Sequence, residues 1–333
     1  MSAAAAPVAS RAGVLDTLGP ALRRNAWILG LLVFLVALLA LTKAIQPTYG
    51  PIALQGLGTS VLPLALAAVA QAIVVIAGGI DLSIGSMMAL TSVISASLME
   101  NQSGEYAVLV VVGVLVLGLV LGAINGGLVV VTRVPDIVVT LAMSFVWAGF
   151  ALLVRTSPGG AAASWLTSLV SRSFGSEWVP KALVVLIVVV AVIWIPISRS
   201  RFGLALYAIG SNPLAAYRSG VNVGRTKVGA YMIGGLFAAL AGLSLTATTT
   251  IGSPVPGPYT LESVAAIVLG GVSLAGGRGG VTGPIIAVLI LQLIGTDMTF
   301  LNIDPNLAFV VQGVILIGVL MSARVVEVWR MRV

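Results

Sequence analysis

Long apolar runs separated by short polar joints make up nearly all of the chain. The first follows Arg23 and Arg24 and reads from about 27 to 45. Further runs fall near 59–79, 84–99, 107–131, 137–154, 182–198, 228–250, 261–275, 281–296 and 306–322. A helix rises about 1.5 Å per residue, so roughly 17 to 25 apolar residues cross the ~30 Å hydrocarbon layer of a bilayer. The pattern predicts an all-α integral membrane protein of about ten transmembrane helices, some of them discontinuous, with both termini on one side. No small-residue cleavage site follows the first run, which is therefore expected to stay as a crossing. Composition agrees, since 59% of the 333 residues are apolar and 8% charged, against about 25% charged in soluble domains.

Charge then orients the pattern. Short cytoplasmic joints collect Lys and Arg, and the opposite side does not. With the N-terminus inside, the inner joints hold thirteen of the 17 basic residues and the outer joints four, Lys43, Arg155, Arg172 and Lys181. The inner side carries about +9 and the outer about −2, so the net +7 reads as a topology signal before it reads as an affinity for nucleic acid. The expected division is a cytoplasmic segment at 1–26, a membrane domain over 27–323 and a cytoplasmic tail at 324–333. Two joints are long. Residues 155–181, with Trp165, Phe174 and Trp178, lie outside; residues 199–227 lie inside and hold five basic residues and no acid.

The absence of cysteine and histidine excludes disulfides, thiolate metal sites and the commonest proton shuttle near neutral pH. No catalytic residue and no metal site are expected. No Gly-Lys dipeptide occurs, so the nucleotide-binding loop is missing too.

What remains is a set of breaks in the apolar pattern. Gly78-Gly79-Ile80-Asp81-Leu82-Ser83-Ile84-Gly85-Ser86 interrupts it between the second and third crossings. A carboxylate near hydrocarbon costs roughly 2.5 kcal/mol or more. Asp81 either caps the following helix, accepting backbone N–H groups that lipid cannot satisfy, or lines a solute path. A second break, Gly270-Gly271-Val272-Ser273-Leu274-Ala275-Gly276-Gly277-Arg278-Gly279-Gly280, echoes the first with Gly78 aligned to Gly270 and Gly79 to Gly271. Paired glycine-interrupted segments point to discontinuous helices around a transport pathway; chance echoes among 39 glycines are the competing explanation.

Gly118, Gly122 and Gly126, four apart in the fourth run, line small residues along one helix face and predict close packing. Polar side chains inside or beside the runs are few. Gln71, Asp81, Ser83, Asn125, Thr140, Ser144, Gln292 and Gln312 form the candidate substrate pathway, alongside a Thr cluster at 246 and 248–250. Each could equally bond one helix to another for about 1 kcal/mol. With no isolated Lys, Arg or His at the centre of a run, the set suits a neutral, hydroxyl-rich solute better than an ion. In the inner loop, Asn212 followed by Pro213 is a helix start and Gly220 a stop. A two-turn helix is predicted there, either merely solvated or a dock for another protein.

Taken together these residues resemble the membrane-spanning permeases of bacterial ABC importers for monosaccharides, of the ribose, xylose, galactose and arabinose type. The marks are Gly78 through Ser86, Thr140-Leu141-Ala142 after Pro135, Arg201-Phe202-Gly203 leading into Tyr207-Ala208-Ile209-Gly210, Ser219-Gly220-Val221-Asn222, and Val268 through Gly279. The resemblance implies an inner-membrane, multi-pass permease that pairs with a second copy or a paralogue and receives sugar from an extracytoplasmic binding protein. Separate ATPase subunits would drive it, so this chain would bind no cofactor, ATP being held by the partner. It further implies that 199–227 is a coupling loop in which Asn212, Pro213, Leu214, Ala215, Ala216, Tyr217, Arg218, Ser219 and Gly220 seat in the ATPase. Four places depart from the pattern: Asp136 replaces a small or apolar residue, Ser263 an Asp, Tyr217 an Arg or Leu, and Gly295-Thr296-Asp297 an Asn-rich stretch. An ion-coupled secondary transporter is the alternative. An intramembrane enzyme lacks the usual nucleophile and base.

Overall fold

A computed structural model describes residues 26–314 except 256, 305, 306, 308, 309, 311 and 312. Among these residues seven helices are long and apolar enough to cross a membrane: α1 (Ala26–Ile45), α2 (Pro51–Ile76), α4 (Gly104–Thr132), α5 (Asp136–Val154), α7 (Lys181–Arg199), α10 (Val223–Thr249) and α12 (Thr282–Phe300). Two apolar helices are shorter, α3 (Ile84–Met99) and α11 (Tyr259–Leu269). The remaining helices are α6 (Ser164–Val170), α8 (Arg201–Ser211) and α9 (Pro213–Arg218). The expectation of a purely helical chain needs one correction. In the long outer joint, β1 (Ser173–Phe174) and β2 (Ser176–Pro180) form an antiparallel hairpin around Gly175, whose φ of 72° suits the turn. The tenth apolar run, 306–322, lies for the most part outside the described residues, as do the segments 1–25 and 324–333.

α2, α3 and α10 form the centre. α2 is buried from Val61 onward on every side, which its all-round apolar sequence (VLPLALAAVAQAIVVI) requires. The surrounding α1, α4, α5 and α7 keep large apolar side chains exposed on one side, such as Val33, Leu109, Phe145, Leu153 and Val192, the face a lipid-embedded bundle presents. The glycine stripe on α4 packs as its spacing predicts. A Cβ on Gly122 would overlap the Tyr231 carbonyl of α10, and one on Gly118 would lie 2.5 Å from both Ala239 Cβ and the Gly235 carbonyl oxygen.

Helix ends gather alternately on two faces. On one lie the turn after α2, the starts of α5 and α10, α8, α9 and the turn after α11, linked by Lys227–Asp136 and by Gly277 N–H to Ile76 O. On the other, Arg155 pairs with Glu100 at 3.0 Å, Trp165 donates to Gly104 O, and Gly159 pairs with Gly252 through both backbone N–H groups.

Candidate functional site

Two crossings are broken, and they meet. α3 starts beside α11: the Gly85 N–H donates to Thr260 Oγ1 at 3.0 Å. From that point α3 climbs to Ala96, against which Gly160 packs, while α11 descends to Leu269, whose carbonyl accepts from Trp27 Nε1 at 3.0 Å. At 11 residues α11 is about 16 Å long, half a bilayer's hydrocarbon. Residues 251–255, 257 and 258 carry no helix, and the segment leads from Gly252, packed on Val93 and Ala96, to Thr260 beside Gly85. The eighth apolar run, read near 261–275 with a break from Gly270 onward, is thus a half-helix that ends at Leu269, where the glycine break is expected to interrupt it. Non-helical backbone at this depth is tolerated only where protein or a water-filled path surrounds it.

The two glycine breaks end their helices alike. After α2, the N–H groups of Ala77, Gly78 and Gly79 return to Ile73, Val75 and Val74; after α11, those of Gly270, Gly271 and Val272 return to Ala266, Val268 and Ile267. Gly78 and Gly271 share a positive φ, 78° and 80°, which is why glycine stands there. The echo is therefore real in backbone form, and its register shifts by one residue: Gly78 corresponds to Gly271, not Gly270.

Both breaks touch α8. A Cβ on Gly210 would overlap the Ile76 carbonyl oxygen and lie 2.5 Å from Gly277 N, while one on Gly276 would lie 2.9 Å from Gly78 Cα and 2.8 Å from Gly210 O. Ser211 Oγ lies 3.5 Å from the Gly277 carbonyl, and Tyr207 OH donates to Gly279 O at 3.0 Å. Burial pushes the Tyr207 hydroxyl pKa up, so it stays a neutral donor. α9 follows directly, starting as predicted. Asn212 Oδ1 accepts from Ala215 N–H at 2.9 Å, Pro213 takes the first helical position, and Gly220 ends the turn at φ 85°. Ala216 is buried against the bundle, whereas Leu214, Ala215, Tyr217 and Arg218 are exposed.

Four of the candidate pathway residues converge on one buried knot. Asp81 Oδ1 accepts from Ser83 N–H at 2.8 Å and from Ser83 Oγ at 2.6 Å, and Asn125 Nδ2 reaches Ser83 Oγ at 2.7 Å and Asp81 Oδ2 at 3.5 Å. Trp147 Nε1 donates to Asn125 Oδ1, and Thr140 Oγ1 accepts from Leu82 N–H and bonds Ile80 O. Asp81, Ser83, Asn125 and Thr140 are fully buried. Asp81 sits two residues ahead of the helix N-cap, Ser83, whose own side chain makes no cap bond. Among the described residues Ser144 bonds only its own helix, donating to Leu141 O. Gln71 is fully buried and neither amide atom finds a partner among the described residues, Gln292 is half-buried on α12, and Gln312 lies outside the described residues. No group of acids that could hold a metal ion occurs among the described residues.

The family described as "Branched-chain amino acid transport system / permease component" matches residues 52–320. The chain belongs to this family. Relatives within curated proteins include the ribose import permease of Bacillus subtilis, 34% identical over 94% of this chain and 94% of its own, and that of Escherichia coli, 31% identical over 86% and 90%. The xylose transport system permease of Escherichia coli is 30% identical over 75% and 79%. No solved structure matches. The chain is accordingly a multi-pass permease of the bacterial inner membrane.

In this permease the sequence hides two elements of the site. Asp136, visible only as a departure from the family pattern, pairs with Lys227 Nζ at 2.8 Å and accepts from Tyr231 OH at 2.9 Å, joining α5 to α10 directly beside Ile80. A carboxylate and an ammonium 91 residues apart give no local signal. Gly210 stands out in the sequence only as part of a motif, and its role needs three segments that meet in space alone.

Proposed function

We propose that this permease is the membrane-spanning subunit of an ABC importer that moves a monosaccharide, pentose or hexose, into the cell. Its partners would be two ATP-hydrolysing subunits, an extracytoplasmic sugar-binding protein, and a second copy or a paralogue. The family description speaks of amino acids, but relatives at 30–34% identity are named for ribose, fructose, galactose and xylose, which favours a sugar. The reading takes about ten crossings from the apolar runs and cytoplasmic termini from the charge bias of the joints.

One observation carries the mechanism: the exposed helix α9 is continuous, through Gly210, with both glycine breaks. Force from the ATPases on Leu214, Ala215, Tyr217 and Arg218 would move α8. With no side chain between them, Gly210 would push the backbone at Ile76 and Gly277 together. Those two turns carry the starts of α3 and α12, and α3 meets α11 at Gly85–Thr260, so the junction of the half-helices would open to alternate faces. No coupling ion enters. The test is uptake into vesicles containing the permease, ATPase and binding protein, with ribose, xylose, galactose, fructose and leucine compared. ATP-dependent uptake of a sugar is expected; uptake driven by an ion gradient with neither partner present would overturn the reading.

A further inference from the structure

Two hollows at the outer end of α7 run into one another. One is an apolar groove of about 340 Å³ walled by Leu169, Phe174, Val184, Val185, Val188 and Val189. The other is a polar pocket of about 560 Å³ lined by Ser164, Thr167, Ser171, Arg172 and Thr250, among others. Ser168 and Lys181 line both. Lys181 is the first residue of α7, and positions 184, 185, 188 and 189 follow it at helical spacing. The groove therefore runs from the ammonium down one stripe of a membrane-crossing helix for about 12 Å.

The charges at its mouth have no acidic partner among the described residues. Lys43 and Arg155, the other outer-joint cations, are engaged: Lys43 donates to Pro47 O and Tyr49 O, and Arg155 pairs with Glu100. Arg172 makes no side-chain hydrogen bond or ion pair among the described residues, and Lys181 Nζ reaches only Ser168 O, at 3.3 Å. No carboxylate lines either hollow. Arg172 is also held at φ 67°, a conformation costly for a side-chain-bearing residue, with its carbonyl bonded to Lys181 N–H. The backbone thus pins the two cationic residues together at the base of the hairpin.

We propose that the two hollows hold one anionic phospholipid of the outer leaflet, its phosphate between Arg172 and Lys181, its headgroup near the Ser and Thr hydroxyls, and an acyl chain in the α7 groove. A bare anion or an acidic protein surface would use the polar pocket and leave the groove empty; a phospholipid fills both at the depth each occupies. The leaflet assignment rests on the orientation proposed above, whereas the site does not.

The purified permease, titrated with phosphatidylglycerol and separately with phosphatidylcholine, is read by native mass spectrometry for retained lipid. Wild type should retain one phosphatidylglycerol in preference to phosphatidylcholine. Arg172→Gln with Lys181→Gln should weaken it about 30-fold, or about 2 kcal/mol at 1.4 kcal/mol per tenfold, as loss of about 1 kcal/mol per basic residue requires. Arg172→Lys with Lys181→Arg should restore it, which separates charge loss from misfolding, and Val185→Trp should block the groove and reduce retention with both charges intact. Equal retention by wild type and the double Gln variant would overturn the proposal. So would a double Gln variant that keeps its lipid but loses stimulation by the binding protein, since the pocket would then be a protein dock. Failure of the import reading would leave the lipid result unchanged.

Discussion

At the scale of single residues, the permease spends its few polar groups on fastening the turn between α2 and α3. Asp81 offers one oxygen to Ser83 N–H and Oγ, a job that a neutral amide oxygen also performs. Asp81→Asn should therefore cost at most about 1 kcal/mol, whereas Asp81→Ala leaves the buried Ser83 N–H and hydroxyl without their acceptor, at about 1–3 kcal/mol each, while Asn125 keeps its bond to Ser83 Oγ. Thermal unfolding in detergent should rank wild type, Asn and Ala in that order. Equal losses from Asn and Ala would assign the residue a role that needs its charge. Asp136 is held differently, by Lys227 and Tyr231, with the paired Asp136 and Lys227 side chains 15% and 23% exposed. Removing one partner of such a pair costs more than removing both. Asp136→Leu alone should lower stability by about 2–3 kcal/mol, and adding Lys227→Met should recover at least about 1 kcal/mol of that. Simple additivity of the two would mean that the contact does not couple α5 to α10.

At the scale of elements, what sequence reasoning can see is whatever repeats locally. Apolar runs mark the long helices and α3 to within a few residues, except that α2 begins at Pro51, well before the expected 59. Asn212, Pro213 and Gly220 mark α9 because caps and stops act within one turn. The break after α11 is legible in Gly270-Gly271, where Gly271 takes a positive φ and Gly270 packs against Gly283 and Pro284; the apolar run that continues over 270–275 blurs only where the helix stops. The outer hairpin escapes because two strands of two and five residues leave no periodicity. Depth matters equally in choosing variants on α9. Ala216 is buried, so Ala216→Glu tests folding; Ala215→Glu and Tyr217→Glu, on the exposed face, test docking. These two should release the ATPase on co-purification while leaving the thermal transition of the permease alone within about 0.5 kcal/mol, as surface substitutions do. Gly210→Ala is the complementary change. It should leave the ATPase bound but force apart Ile76 and Gly277, so that ATP is hydrolysed without uptake. Normal coupled uptake by Gly210→Ala would remove α8 from the proposed line of force.

For the whole molecule, alternation of helix ends and charge bias are independent constraints, and their agreement fixes how strongly the orientation can be tested. The face that gathers Gly78, Gly210, Gly277, Asp136 and Lys227 also carries α9 and the loop rich in Arg; the opposite face carries the hairpin, Arg155–Glu100 and the Gly159–Gly252 pair. α7 is the one long apolar helix between them, so if it did not cross, α9 and the hairpin would lie on the same side. Because the chain has no cysteine, single introduced thiols report position without background. Ser219→Cys, in the exposed end of α9, and Ser176→Cys, in the exposed hairpin, change little else. In intact cells a membrane-impermeant maleimide should modify the thiol at 176 and spare the one at 219, and opening the membrane should expose both. Modification of 219 from outside would turn the permease over, taking with it the cytosolic ATPase dock and the outer-leaflet lipid site, while the half-helices, the glycine joint and the Asp81 knot would stand in the same geometry.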